Sequence, residues 1–183
     1  MDVTVQQHLT DLHSGDSDRR NDAYAALMAA TERPVGWAYD VWDDLVASLH
    51  DRDNHVRSIA SQVLCNLAKS DPDDRMADTF PALLRVTHDE RFVTARHGLQ
   101  SLWKIGVAGP TQRRMLLDGL THRFEAASAE KNGTLVRFDI AQGLRTLYDT
   151  VQDETVKVTA LALIDAEADP KYRKKYAAVW RGV

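Results

Sequence analysis

Several segments of this chain place small or branched apolar residues at one shared helical spacing, and the regular distance between them leaves few folds open. In "NHVRSIASQVLCNLAKS", Val56, Ala60, Val63, Leu64 and Leu67 fall on one face of a helix. Thirty-seven residues earlier, Ala23, Leu27 and Ala30 stand where Ala60, Leu64 and Leu67 stand. Thirty-eight residues later come Gly98, Leu102 and Ile105. Eighty residues later come Ile140, Leu144 and Leu147, and Val136-Arg137 repeats Val56-Arg57. These second helices are expected over Asn54–Lys69, Phe92–Val107 and Gly133–Tyr148, after a first one containing "RRNDAYAALMAA".

Each follows a helix with its own apolar stripe, at about Val3–His13, Gly36–His50, Asp73–His88 and Pro110–Ser128. The stripes include Val5, Leu9 and Leu12, then Val41, Leu45 and Leu49, then Phe80, Leu83 and Leu84. A final pair, about Asp153–Ala166 and Pro170–Trp180, completes the series. Pro72, Pro110 and Pro170 suit a first helical turn, where a missing N–H costs nothing. Asp71 and Asp169 precede two of them as N-caps. Asn132-Gly133 breaks the fourth pair, Gly106 and Gly109 end the third, and Pro81 bends its helix near the first turn.

No stretch alternates as a strand would. Two helices per period of about 37–42 residues imply an all-α fold, an α-α superhelix of about five helical pairs in one domain over 1–183. The repeats run at about 1–33, 34–70, 71–108, 109–151 and 152–183. A single pair cannot bury its stripe, so neighbouring pairs must stack.

The pattern D-x-x-V-R-x-x-A-x-x-x-L-x-x-L, from Asp53 to Leu67, resembles the HEAT repeat and its armadillo relatives, and the likeness runs over the whole chain. It is closest in the second and fourth repeats. In the first, Arg19-Arg20 replaces Val-Arg, and in the third Thr94-Ala95 does. The resemblance implies a right-handed solenoid that binds macromolecules along a concave face lined by second helices. A minority of such proteins bind DNA. It also implies that Arg57 and Arg137 engage turn carboxylates or carbonyls.

Composition narrows the functional classes. A net charge of −4 and a pI near 5.9 disfavour a wholly basic nucleic-acid binder, though not a local basic patch. The N-terminal "MDVTVQQHLTDLH" has neither the basic start nor the apolar run of a signal peptide, and the longest apolar run, "ALALI", is too short to span a membrane. A lone cysteine, Cys65, excludes an internal disulfide and a CxxC site, so a cytoplasmic location is expected. Cys65 is expected on the outer face of its helix without a histidine to activate it. His13, His50 and His88 end successive first helices; stacked repeats hold them about 10 Å apart, too far to share one metal, and there they favour the helix dipole. No phosphate loop, HExxH or nucleophile elbow occurs. The expectation is therefore a protein with no catalytic residues, no metal and no cofactor.

Charge separates by helix type. Arg57, Lys69, Arg96, Lys104, Arg137 and Arg145 against Asp139 give three second helices a net +5, or +3 once Arg57 and Arg137 are set aside. The first three first helices carry −6, Asp2 included. At 100° per residue, the row opposite the core reads Ser58, Gln62, Cys65, Lys69, then Arg96, Gln100, Trp103, then Phe138, Gln142, Arg145. Glutamines can bond both donors and acceptors of an extended backbone, and outward aromatics anchor interfaces. Ser58, Gln62, Lys69, Arg96, Gln100, Trp103, Phe138, Gln142 and Arg145 are thus the expected partner-binding residues. The expected partner is an acidic protein or peptide, with nucleic acid on the basic concave side as the alternative. The basic stretch "KYRKKYAAVWRGV" repeats Tyr172, Tyr176 and Val179 at helical spacing and reads as a capping helix, with Arg173, Lys174 and Lys175 as solvated charge and a nucleic-acid role for them as the secondary expectation.

Overall fold

The computed structural model describes residues 3–183, and among them every regular element is helical. Asp2, counted among the first-helix charges, lies outside the described residues. The chain forms two compact units, one ending at Ser101 and one beginning at Leu102. The first contains α1 (Val3–Leu12), α2 (Ser17–Ala30), α3 (Ala38–Ser48), α4 (Asn54–Leu67), α5 (Arg75–Val86) and α6 (Phe92–Ser101). The second contains α7 (Trp103–Ala108), α8 (Pro110–Ala126), α9 (Gly133–Val151), α10 (Glu154–Asp165) and α11 (Pro170–Val179). Short 3-10 turns at Ala68–Ser70 and Ala127–Ala129 extend α4 and α8.

Capping follows the expected chemistry with instructive departures. Asp16, Asp53, Asp153 and Asp169 each accept a hydrogen bond from an amide two residues on, satisfying an orphan donor of the first turn. Asp71 does not cap a helix at Pro72. Pro72 lies in a turn, α5 starts at Arg75, and Asp71 reaches forward to accept from the amides of Arg75 (2.9 Å) and Met76 (2.6 Å). The residue before α5, Asp74, is left-handed (φ 57°) and gives no side-chain cap, so the more distant carboxylate does that work. Pro81 sits inside α5 beyond its first turn, leaving the Ala77 carbonyl without an amide four residues on.

The expected single helix over Phe92–Val107 is two. At Leu102 the backbone stays helical (φ −58°, ψ −31°), but the Ile105 amide bonds three residues back to the Leu102 carbonyl, ending α6 at Ser101. Gly106 does not end a helix either. It lies within α7, where a Cβ would stand 2.7 Å from Leu147 Cδ2 and 2.9 Å from Leu116 Cδ2; a glycine is needed there for close packing rather than for a turn.

In the first unit α4 is the central helix, walled by α2, α3, α5 and α6. Val56, Ala60, Val63, Leu64 and Leu67 are all buried, Ala60 completely. Trp42 donates its indole N–H to Thr79 Oγ1, 3.0 Å away, tying α3 to α5 at a separation of 37 residues. In the second unit α9 takes the central place, packed by α7, α8, α10 and α11. Its Leu144 and Leu147 are buried, and Trp180 donates to the Ala141 carbonyl at 3.1 Å.

Three arginines make the same local bond. Arg20, Arg57 and Arg173 each donate to the carbonyl six residues earlier, at Ser14 (3.1 Å), Asp51 (2.8 Å) and Glu167 (2.8 Å). Arg20 also reaches Asp53 (3.4 Å), and Arg57 grips Asp89 through two bonds of 2.6 and 2.8 Å. Arg20 and Arg57 thus each join a preceding carbonyl to a carboxylate more than 30 residues on. Arg137 joins Glu167 (2.8 Å) and the Phe124 carbonyl (2.9 Å). Two grooves between first helices recur in the same register: Leu12, His13, Ala47 and Asp51 line one, and Leu49, His50, Arg85 and Asp89 line the next.

Candidate functional site

The row expected to face outward on α4 is only partly exposed. Ser58 and Cys65 are buried, Cys65 completely, which corrects the outward placement of both. The reason is that α2 and α6 cover the flanks of α4, so small side chains on its outer side become helix–helix contacts. Their polar atoms are satisfied locally: Ser61 bonds the Ser58 carbonyl and Asn66 bonds Thr31 Oγ1. Lys69 is half-buried and caps α2, donating to the carbonyls of Thr31 (3.1 Å) and Glu32 (3.0 Å). Burial lowers its pKa, against the pull of Glu32.

What the outer side of this unit does hold is a cavity of about 370 Å³ walled by α2, α4 and α6. Gln62 and Ser58 line it, joined by Arg20, Tyr24, His55 and His97, with Ile59 as an apolar wall. A chain of hydrogen bonds crosses it. Tyr24 donates its hydroxyl to Gln62 Oε1 (2.9 Å), and Gln62 Nε2 donates to the Ser58 carbonyl (3.1 Å) and hydroxyl (3.2 Å). Ser58 Oγ stands 3.1 Å from His97 Nδ1. The Ser58 hydroxyl, with one proton and two lone pairs, takes the Gln62 amide on one side and meets His97 Nδ1 on the other, as donor or acceptor according to the His97 tautomer. His55 Nδ1 stands 3.0 Å from Asp53 Oδ1. For Asp53 burial works to raise the carboxyl pKa, but bonds from the His55 amide and ring together with Arg20 outweigh it, and the net shift is downward.

A serine beside a histidine invites comparison with a hydrolase. The comparison lacks its third member: among the described residues no carboxylate orients His97, and the Ser58 hydroxyl is buried and bonded by Gln62. Nor do the described residues include three or more His, Cys, Asp or Glu grouped to hold a metal ion. No helix among them is long and apolar enough to cross a membrane.

The remaining row residues are spread over both units. On α6, Arg96 is half-buried and Gln100 exposed. On α7, Trp103 is half-buried with its Cβ against the α9 backbone at Gly143, 3.9 Å from where a Cβ would stand. On α9, Gln142 is exposed and Phe138 half-buried, its ring 6.4 Å from that of Tyr176. Arg145 is engaged on several sides: Asp149 (2.8 Å), the Val179 carbonyl (3.0 Å) and the Trp180 ring (5.9 Å). With Arg57, Arg137 and Arg145 paired and Lys69 capping a helix, the positive charge counted along the second helices is largely spent inside the protein.

Tyr24, His55 and His97 were not among the expected site residues. Tyr24 and His97 each sit one position off the outward row, on the flanks from which neighbouring helices meet across a groove. Counting the flank positions beside each row residue would have found them. Tyr172 and Lys175 pack over the rings of Tyr176 and Phe138; the sequence places both in a capping helix and gives Lys175 only a secondary nucleic-acid role.

No family model matches the chain, and no curated protein matches it. Among solved structures it is similar to the crystal structure of an engineered protein, a Northeast Structural Genomics Consortium target. The identity is 17% and the TM-score 0.56, over 96% of this chain and 76% of that one. At that identity the likeness bears on fold alone.

Proposed function

We propose that the chain is a non-catalytic binding module of HEAT-like type, a right-handed solenoid of about five helical pairs, that holds an acidic protein or peptide segment on its second-helix side. The recurrence of the first-helix grooves at 37–38 residues and the repeated arginine-to-carbonyl bond support the solenoid reading. The observation that carries the functional reading is a difference in lining charge. The cavity among α2, α4 and α6 is lined by Arg20, His55 and His97 and by no carboxylate, with Asp53 bonding Arg20 and His55 from beside it, whereas one first-helix groove holds Asp44 and Asp51 beside His13 and the next holds Asp51, Asp89 and Glu90 against Arg57 and Arg85. The excess of carboxylates in the grooves disfavours an acidic segment there relative to the cavity. Tyr24, Gln62 and the His97 ring supply hydrogen-bonding groups for a bound backbone or side chain.

A photo-crosslinking residue at His97 should capture a defined acidic polypeptide in cells, and the same residue at Asp44 on α3 should not. Asn21→Trp fills the cavity from its exposed rim and should abolish that crosslink while leaving helicity intact. Capture only at Asp44, or capture at His97 that survives Asn21→Trp, would refute the reading.

A further inference from the structure

The second unit carries a different chemistry on α9 and α11. Tyr176 is buried between these helices, its hydroxyl donating to the Thr134 carbonyl at 2.9 Å, and burial pushes its pKa up to about 12. Its ring stacks under Tyr172 (centroids 6.3 Å, planes at 29°) and lies 6.4 Å from Phe138, so a buried ring backs two half-exposed ones. Lysine ammonium groups sit over the outer two: Lys171 is 5.4 Å from the Tyr172 centroid and Lys175 4.5 Å from that of Phe138. Lys174 is exposed on the same helix. Among the described residues none of these lysines has a carboxylate partner, although Arg113, Arg137 and Arg145 of the same unit all do. Pro170–Val183 holds five cationic side chains and no acidic one, in a chain of net charge −4.

We infer that Phe138, Gln142, Lys171, Tyr172, Lys174 and Lys175 form a binding surface for single-stranded nucleic acid. The polyanion matters because an exposed lysine gains little from an isolated carboxylate, whereas neutralising a phosphate strand releases condensed counterions. Lys171 to Lys175 spans about 6 Å of helix, within reach of successive phosphates. Strandedness follows from the rings. Unpaired bases stack on aromatic faces irrespective of sequence, whereas a duplex keeps its base faces hidden. On binding, each ammonium swings from a ring to a phosphate and leaves the ring to a base, and Gln142 offers an amide to a base edge. This goes beyond the acidic-segment reading of the first unit, and neither depends on the other.

The test is fluorescence anisotropy of the full chain with a labelled fifteen-nucleotide oligothymidylate across a salt series. Neutralisation by three lysines predicts a log–log salt slope of about −2. Lys171→Gln, Lys174→Gln and Lys175→Gln together should bring the slope near zero, while Lys131→Gln elsewhere in the unit should leave it unchanged. Tyr172→Leu should weaken binding about tenfold at every salt concentration without altering the slope, with an unchanged circular-dichroism melt as the folding control. The proposal is overturned if the wild type shows no salt-dependent binding, or if a duplex of the same length binds as tightly. It is equally overturned if a polyglutamate peptide of equal charge binds as tightly, which would make the surface one for acidic peptides.

Discussion

Alanine replacing glycine at two positions of α9 should move stability in opposite directions. At Gly133, the first residue of the helix, a Cβ would stand 1.8 Å from the Ala127 carbonyl oxygen and 2.9 Å from its carbonyl carbon. Carbon–oxygen contacts settle near 3.3–3.6 Å, so a gap of roughly 1.5 Å must open. The obstacle is the backbone of a 3-10 turn, which has no rotamer to escape into. Overpacking costs about 1–3 kcal/mol, and a backbone clash belongs at the upper end, about 3 kcal/mol. At Gly143, well inside the same helix, the nearest atom to the new Cβ is Trp103 Cβ at 3.9 Å, an ordinary contact. There alanine recovers helix propensity of about 0.5–1 kcal/mol. Urea denaturation followed by helical ellipticity reads both. With a slope near 2 kcal/mol per molar urea, Gly133→Ala lowers the midpoint by about 1.5 M and Gly143→Ala raises it by roughly 0.3–0.5 M. A Gly133→Ala midpoint within about 0.3 M of wild type, or a Gly143→Ala midpoint below it, would refute the close-approach argument.

Two further outcomes follow from buried groups. Burial works to raise the Asp89 pKa, but the Arg57 guanidinium and the Arg91 amide outweigh it and hold the carboxyl below its ordinary value. Its contribution to stability is therefore complete above about pH 3.9 and lost as pH falls through the lower folded value. Asp89→Asn, which strands a guanidinium only 13% exposed, should cost about 3 kcal/mol at pH 7 and flatten the loss of melting temperature below pH 4. Parallel acid profiles for wild type and variant would contradict this. Cys65 has no exposed surface, so a disulfide reagent should modify the native protein only at its rate of opening, and full labelling within seconds would show the thiol to be accessible.

The helical segments, their apolar faces and most of their ends were legible in the sequence, the break at Leu102 and the start of α5 at Arg75 excepted. Val56, Ala60, Val63, Leu64 and Leu67 are buried as their spacing requires, and Asp169 caps α11 as its place before Pro170 requires. These features are local, set by side-chain direction along one helix and by unpaired amides at its start, and a single segment contains all the information. The candidate site was legible only in part. Gln62 lies on the cavity and Gln142 on the exposed side of α9, but Ser58 and Cys65 went inside. Periodicity identifies the apolar stripe of α4 and is silent on what covers its flanks, which depends on α2 and α6, some forty residues away on either side. Charge was misjudged for the same reason. Counting cations per helix cannot show that Arg57 is spent on Asp89, 32 residues on, or Arg137 on Glu167, 30 residues on, while Lys171, Lys174 and Lys175 keep their charge for solvent. Pairing is a property of distance in space, and only the tertiary structure sets it.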